Sequence, residues 1–460
     1  MPDSPADFTA YDQYIGAHFD AFVDELRAFC ARPALAGQRV GLAESSAWVR
    51  ARLEALGARA TVVDVPEGSP AVLGELGEGA HTLLIYNHYD VQPADPLDLW
   101  ETPPFEPAIR DGKFYARGVA DDKGDLLARL QAIAAYQATR GPLPLRLRWF
   151  VEGEEEIGSP HLAAVPRDHA DALRADWCVW EGSGWDETDT PSIVCGMKGM
   201  LYVELHATGP DHDVHSGNGG IVPNPAWRLV EALGTLRTPD GRPALDGLAD
   251  LVAPPDPAAR AAAEALPFDE AKLREVFGIE HWQRNLTGRD VLYAYLFEPT
   301  ANIAGFHSGY GGPGPKTIVP STALLKMDFR LVPNQTPAAM ADLLRRHLDA
   351  RGFSNIEMRV LGGLAPAMTP VDSPIVQAAA AVWRSLGVAA PNIHPITGGS
   401  GPMAAISAEL GIPTVCVAAP EYVRSSIHAP NEHIRLDDYR ACLRYWGRLF
   451  DYLGRQTAGK

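Results

Sequence analysis

Helix-period segments alternate with short, wholly apolar runs from the N-terminus to about residue 200 and again near the C-terminus. That alternation predicts an α/β fold, with a mostly parallel sheet covered by helices on both faces. Apolar residues recur at helical spacing over 16–29, 45–56 and 122–138. The strand-like runs are Val62–Val65, Thr82–Asn87, Leu145–Val151, Trp177–Trp180 and Thr414–Ala418. From about 200 to 362 the texture changes. An alternating run (Leu201–Ala207) and a helix (Trp227–Leu236) precede the Pro/Ala-rich stretch APPDPAARAAAEAL. Strands near Ala301–Phe306 and Ala323–Val332, a helix at Pro337–Arg351 and a last strand at Ile356–Leu361 follow. Two helices on a small antiparallel sheet would form an inserted α+β layer. The expected division is therefore residues 1–199 and 365–460 in the larger domain and 200–364 in the insert. Its hinges would be Met197–Met200 and Gly362–Pro374, where Gly, Pro and Ser cluster.

Charge narrows the partners. Forty Lys+Arg against 58 Asp+Glu in 460 residues give a net charge of −18. A field of that sign repels nucleic-acid backbones and anionic lipid, and no local basic patch offsets it. The N-terminus MPDSPADFTAYDQYIGAHFD lacks the basic-then-apolar pattern of a signal peptide, and no run approaches the roughly 18 apolar residues of a membrane span. The cysteines Cys30, Cys178, Cys195, Cys416 and Cys442 are scattered and never in a CxxC pair. They read as core residues of a reduced, cytoplasmic protein.

The chemistry-bearing residues cluster where strands end. His88 and Asp90 follow TLLIYN, Glu154, Glu155 and Glu156 follow LRLRWFV, Glu181 follows WCVW, and His428 lies after TVCVA. Asp121 and Asp122 stand where a loop enters a helix. In an open α/β sheet the carboxyl ends of the strands share one crevice, so these groups can converge. A convergent His, Asp and Glu set is that of a hydrolytic zinc site. Two divalent ions, three carboxylates, two neutral imidazoles and one hydroxide also sum to no net charge, so such a core can be buried. Adjacent Glu155 and Glu156 suit a division in which one binds metal and the other moves protons. Singly, each residue has a plainer reading: His88 or His428 as a hydrogen-bonded structural histidine, Asp122 as a helix cap, and Glu154–Glu156 as a solvated turn.

The stretches NHYDVQP (Asn87–Pro93), ARGVADDKGD (Ala116–Asp125), EGEEEIGS (Glu152–Ser159), HSGNGG (His215–Gly220) and IHAPNE (Ile427–Glu432) resemble, in order and spacing, the M20 family of dinuclear zinc peptidases and deacylases. The DVQP and DDKG wording is most similar to its dipeptidase and carnosinase branch. The resemblance implies two divalent ions, zinc or its substitutes manganese and cobalt. His88 and Glu181 would bind one, Glu156 and His428 the other, and Asp121 would bridge them. It implies Asp90 as the residue that orients His88, and Glu155 as general base and acid. It also implies a ferredoxin-like lid and dimerisation domain that lends His215 to the partner's oxyanion in a homodimer. Arg330 would hold the substrate carboxylate, with Gly399, Ser400 and Asn302 lining the pocket. The implied reaction is hydrolysis of an amide bond in a dipeptide or short peptide. Glu rather than Asp at 181 is the form usual in carboxypeptidase-like and deacylase members, so an N-acyl amino acid deacylase or carboxypeptidase is the alternative. Gly309, Gly311 and Gly314 spell GxGxxG, but Pro313 and Pro315 interrupt it and no helix follows, so it is read as a loop.

Overall fold

The computed structural model describes residues 7–456. Residues 1–6, the start of the N-terminal segment read above, lie outside it, as do 457–460. Two compact units emerge. One comprises Met1–Gly196, Thr369–Pro395 and Ala405–Lys460, the other Met197–Met368 and Ile396–Ala404.

The larger unit is built on an eight-stranded sheet in the order Arg59–Val63, Ala71–Leu76, Arg146–Glu152, Thr82–His88, Trp177–Trp180, Thr414–Val417, Ser192–Val194, Asn392–His394. The four strands from Arg146–Glu152 to Thr414–Val417 run parallel, and antiparallel pairs flank them. The central strands are those legible in the sequence. Trp177–Trp180 and Thr414–Val417 are buried at every residue, as parallel strands covered on both faces must be. Each fully buried Leu, Ile or Val there contributes roughly 1.5–3 kcal/mol. The first strand is Arg59–Val63 instead of Val62–Val65, and its mixed burial marks a sheet edge. Helix Lys123–Arg140 is buried continuously from Lys123 to Ile133, so it lies in the centre of the unit and not on its surface. All five cysteines are buried and free. Among the described residues no helix is long and apolar enough to cross a membrane.

In the smaller unit the sheet order is Thr300–Ser308, Thr322–Leu331, Gly199–Thr208, Glu357–Leu364, all antiparallel. With helices Pro225–Leu233 and Pro337–Ala350 the chain runs strand, helix, strand, strand, helix, strand, the ferredoxin-like order. Strict alternation puts Leu201, Val203 and Leu205 on one face with Leu325, Met327 and Phe329, against Leu229, Met340 and Leu344 of the helices. Slipping the Leu201↔Phe329 register by one residue would turn that whole face to solvent. Both helices start on a side-chain cap followed by proline, Asn224 onto the Ala226 amide and Thr336 onto the Ala339 amide. The Pro/Ala stretch contains a helix, Pro257–Ala265, capped by Asp256; its alanines carry the highest helix propensity.

The expected division differs from this one at both junctions, where residues 197–199 and 365–368 fall in the smaller unit, and at one further segment. Residues 396–404, inside the expected 365–460 segment, group with the smaller unit. The Lys198 amide donates to the carbonyls of Thr397 and Gly399, and Ser400 is held by Arg330 and Gly199. Such long-range loop bonds leave no periodic signal in the sequence.

Candidate metal centre

The parallel strands deliver their donors to one place. His88 ends Thr82–His88, Glu181 follows Trp177–Trp180, and Glu155 and Glu156 open a short 3-10 turn after Arg146–Glu152. Asp121 sits before helix Lys123–Arg140, and His428 is on the loop after Thr414–Val417. Asp121 is the hub: its Oδ1 lies 3.0 Å from His88 Nε2 and its Oδ2 lies 3.1 Å from His428 Nε2. His428 Nε2 is also 3.0 Å from Glu156 Oε2, and His88 Nε2 is 3.8 Å from Glu181 Oε2. Two sets of three donors have ligand atoms within 4.8 Å of one another, His88–Asp122–Glu181 and Asp121–Glu156–His428.

Surrounding groups fix these donors. His88 Nδ1 donates to the Asp90 main-chain carbonyl at 3.0 Å, which leaves Nε2 as the free donor atom. The Asp90 carboxylate is only 3.4 Å from that Nδ1 and does a second job, accepting from the amides of Glu155 and Glu156 at 3.3 and 3.1 Å. Asp90 therefore aligns the Glu155–Glu156 turn as well as the imidazole. Gln92 grips Glu156 through its amide (3.1 Å) and its Nε2 (2.8 Å). The Trp180 indole donates to Glu181 Oε1 at 3.0 Å. Glu432 accepts from Arg117 and from the amides of Gly118, Ala120 and Asp121, which locks the His428 loop to the Asp121 loop.

Asp122 departs from its expected role. It occupies the residue before the helix but its side chain caps nothing; its Oδ2 accepts from Asn87 Nδ2 (2.7 Å) and from the His88 amide (3.0 Å). Glu154 likewise is no solvated turn residue. It is buried and accepts from Ser69 and from His161 Nδ1 at 2.7 Å, so His161 is an anchor for the turn that carries Glu155.

The donor set fits divalent ions. Two imidazole nitrogens and three carboxylates converge, and the buried Glu181 Oε2 has no hydrogen-bond partner. Burial and neighbouring charges push the Glu181 carboxyl well up despite His88. Glu155 is pushed up to about 7 by burial, against His88 and with Asp121, Glu156 and Asp90 adding repulsion. His428 is held up at about 10 by its bonds to Asp121 and Glu156. So dense a buried anionic cluster is what two doubly charged cations would neutralise.

The remaining expected site residues belong to the smaller unit. Arg330 is partly buried, its Nη1 donates to Ser400 Oγ at 2.7 Å, and its Nε is 3.8 Å from Asp328. Ser400 Oγ in turn donates to the Gly199 carbonyl, and the Gly399 carbonyl accepts from the Lys198 amide. Asn302 is exposed and donates to Asp328 Oδ2 at 2.8 Å, so Asn302, Asp328, Arg330 and Ser400 form a connected row. His215 is exposed on the short strand Val214–His215, and its Nδ1 accepts from the Gly217 amide at 3.0 Å.

Gln92 and Glu432 lie inside the stretches NHYDVQP and IHAPNE, which are their only sequence signal, and Arg129 has none.

Known proteins resemble this chain over most of its length. A family profile described as peptidase family M20/M25/M40 matches residues 84–452. The beta-Ala-His dipeptidase of Homo sapiens is 30% identical over 452 residues, covering 93% of this chain and 89% of that protein. The Cys-Gly metallodipeptidase of Schizosaccharomyces pombe is 32% identical over 291 residues, covering 62% and 61%. The crystal structure of an M20 family metallo-carboxypeptidase from Sulfolobus solfataricus superposes with a TM-score of 0.87 at 35% identity, covering 94% of this chain and 99% of that one.

Proposed function

The chain belongs to peptidase family M20/M25/M40, and from that membership we propose that it hydrolyses the amide bond of dipeptides or short peptides at a centre of two divalent ions, with zinc the resident metal. The observation that carries this is Asp121, whose two carboxylate oxygens each face one imidazole nitrogen. His88 and Glu181 would hold one ion, Glu156 and His428 the other, and Asp121 would serve both. Asp122, though close enough to join the first set, is engaged by Asn87 and the His88 amide. Bound there, the ions supply Lewis acidity, which makes water a nucleophile at neutral pH and polarises the scissile carbonyl.

The protein's own groups do the rest. Glu155 takes the proton of the attacking water on its carboxylate and passes it to the leaving amine. Asp90 keeps that carboxylate aimed through the Glu155 amide. Arg330 receives the substrate carboxylate, for which a guanidinium fork is the matched donor. His215 of a second copy donates to the oxyanion, which makes a homodimer through the smaller unit part of this reading. Loss of a charge-assisted bond costs about 1.5–3 kcal/mol, so Arg330→Ala is expected to raise KM by about 10–150-fold. Metal content would stay the same, and a C-terminally amidated dipeptide would lose nothing further. His215→Ala is expected to regain activity in mixed dimers with Glu155→Gln, because one whole site results; no regain rules out a histidine supplied by the partner.

The relatives' names divide over substrate, two dipeptidases against one carboxypeptidase. Turnover of the zinc-loaded protein on dipeptides, N-acetyl amino acids and longer peptides decides. Fast cleavage confined to dipeptides and short peptides is the expected result. Stepwise release of C-terminal residues from long peptides, or preference for N-acetyl amino acids, would replace it with the alternative.

A further inference from the structure

Arg129 is fully buried on helix Lys123–Arg140, where an apolar side chain would fill the space without desolvating a charge. Its position explains it. The ladder between strands Thr82–His88 and Trp177–Trp180 pairs Leu83 with Trp177, Leu84 with Cys178 and Ile85 with Val179, and stops there. Beyond the last pair the guanidinium takes over: Nη1 donates to the Tyr86 carbonyl at 2.8 Å and Nη2 to the Trp180 carbonyl at 2.6 Å. Nη1 also donates to Asn87 Oδ1 (3.0 Å) and Nη2 to Asp125 Oδ2 (2.7 Å).

Those two side chains extend the clamp past the donors. Asn87 holds Asp122, which accepts from the His88 amide, and Asp125 Oδ2 accepts from the Gly182 amide at 3.3 Å. The main chain leading into His88, and that on both sides of Glu181, is thus tied to one guanidinium, which rests on the Trp446 ring 4.6 Å away. The other donor set is fixed by different residues, Gln92 on Glu156 and Glu432 on the Asp121 and His428 loops.

We propose that Arg129 is a positioning residue that sets the gap between His88 and Glu181, and with it the affinity of the ion that this pair holds. The inference rests on the two-ion reading above. Only a planar fork with several fixed N–H groups can bridge two strand ends in this way; a lysine ammonium keeps the charge but not the span.

The test is titration of metal-stripped protein with Zn2+ against a competing chelator, with circular dichroism and Tm recorded alongside. Wild type is expected to take up two ions. In Arg129→Lys one ion keeps its affinity and the other weakens by about 10–100-fold, the range for losing an outer partner of a ligand. Asn87→Ala, which cuts the relay to Asp122 but spares the Arg129–Asp125 pair, is expected to weaken the same ion and serves if the lysine variant does not fold. Unchanged affinities in a folded variant, or parallel weakening of both ions, would overturn the proposal. Wild type that takes up no ion would overturn the two-ion reading and this inference with it.

Discussion

Glu155→Gln is expected to lower kcat by about 10²–10⁴-fold, the scale of a lost general base and acid, while both ions stay bound. Glutamine keeps the size of the side chain and removes only its ability to accept and return a proton. The Glu155 amide would still donate to Asp90, so the turn stays in place. The neighbouring Glu156 keeps its two bonds to Gln92. The readouts are metal content by elemental analysis, unchanged, and dipeptide turnover, near background. Activity within a few-fold of wild type would transfer the proton to another group.

Asp121→Ala has the opposite signature. Its carboxylate meets both imidazoles, at 3.0 and 3.1 Å. Two unit charges 4 Å apart interact by about 4 kcal/mol at an effective dielectric of ~20, and two doubly charged ions repel about four times as strongly. A shared carboxylate offsets that repulsion, so without it the second ion should bind far more weakly than the roughly 10–100-fold loss seen for outer partners. Titration is expected to find at most one ion per chain, with turnover abolished. Two ions at wild-type affinity in this variant would remove Asp121 from the bridging position.

Much of this arrangement was legible because it is local. An apolar strand followed at once by a polar ligand, as in TLLIYNH and WCVWE, states both the element and where its end points. The alternating strand Leu201–Ala207 likewise announced a half-buried antiparallel sheet. What escaped notice depends on partners distant in sequence or on atoms that sequence does not distinguish. Glu432 reaches the Asp121 amide across 311 positions, and residues 396–404 return to the smaller unit through bonds from Lys198 and Arg330. Asp90 orients His88 with its main-chain oxygen and the Glu155 turn with its carboxylate, a split no pattern encodes. Asp at a helix start favours a cap, yet at Asp122 the His88 amide and Asn87 compete for the same oxygen. Arg129 lies in a helical pattern where an arginine ordinarily marks the solvent face.

The most direct test of the account is the number of metal ions per chain after zinc reconstitution and removal of free metal, measured by elemental analysis against protein concentration. Two ions per chain, accompanied by dipeptide hydrolysis that is lost on chelation, is the result predicted. A chain that holds none, or that hydrolyses dipeptides equally well when stripped, would contradict it.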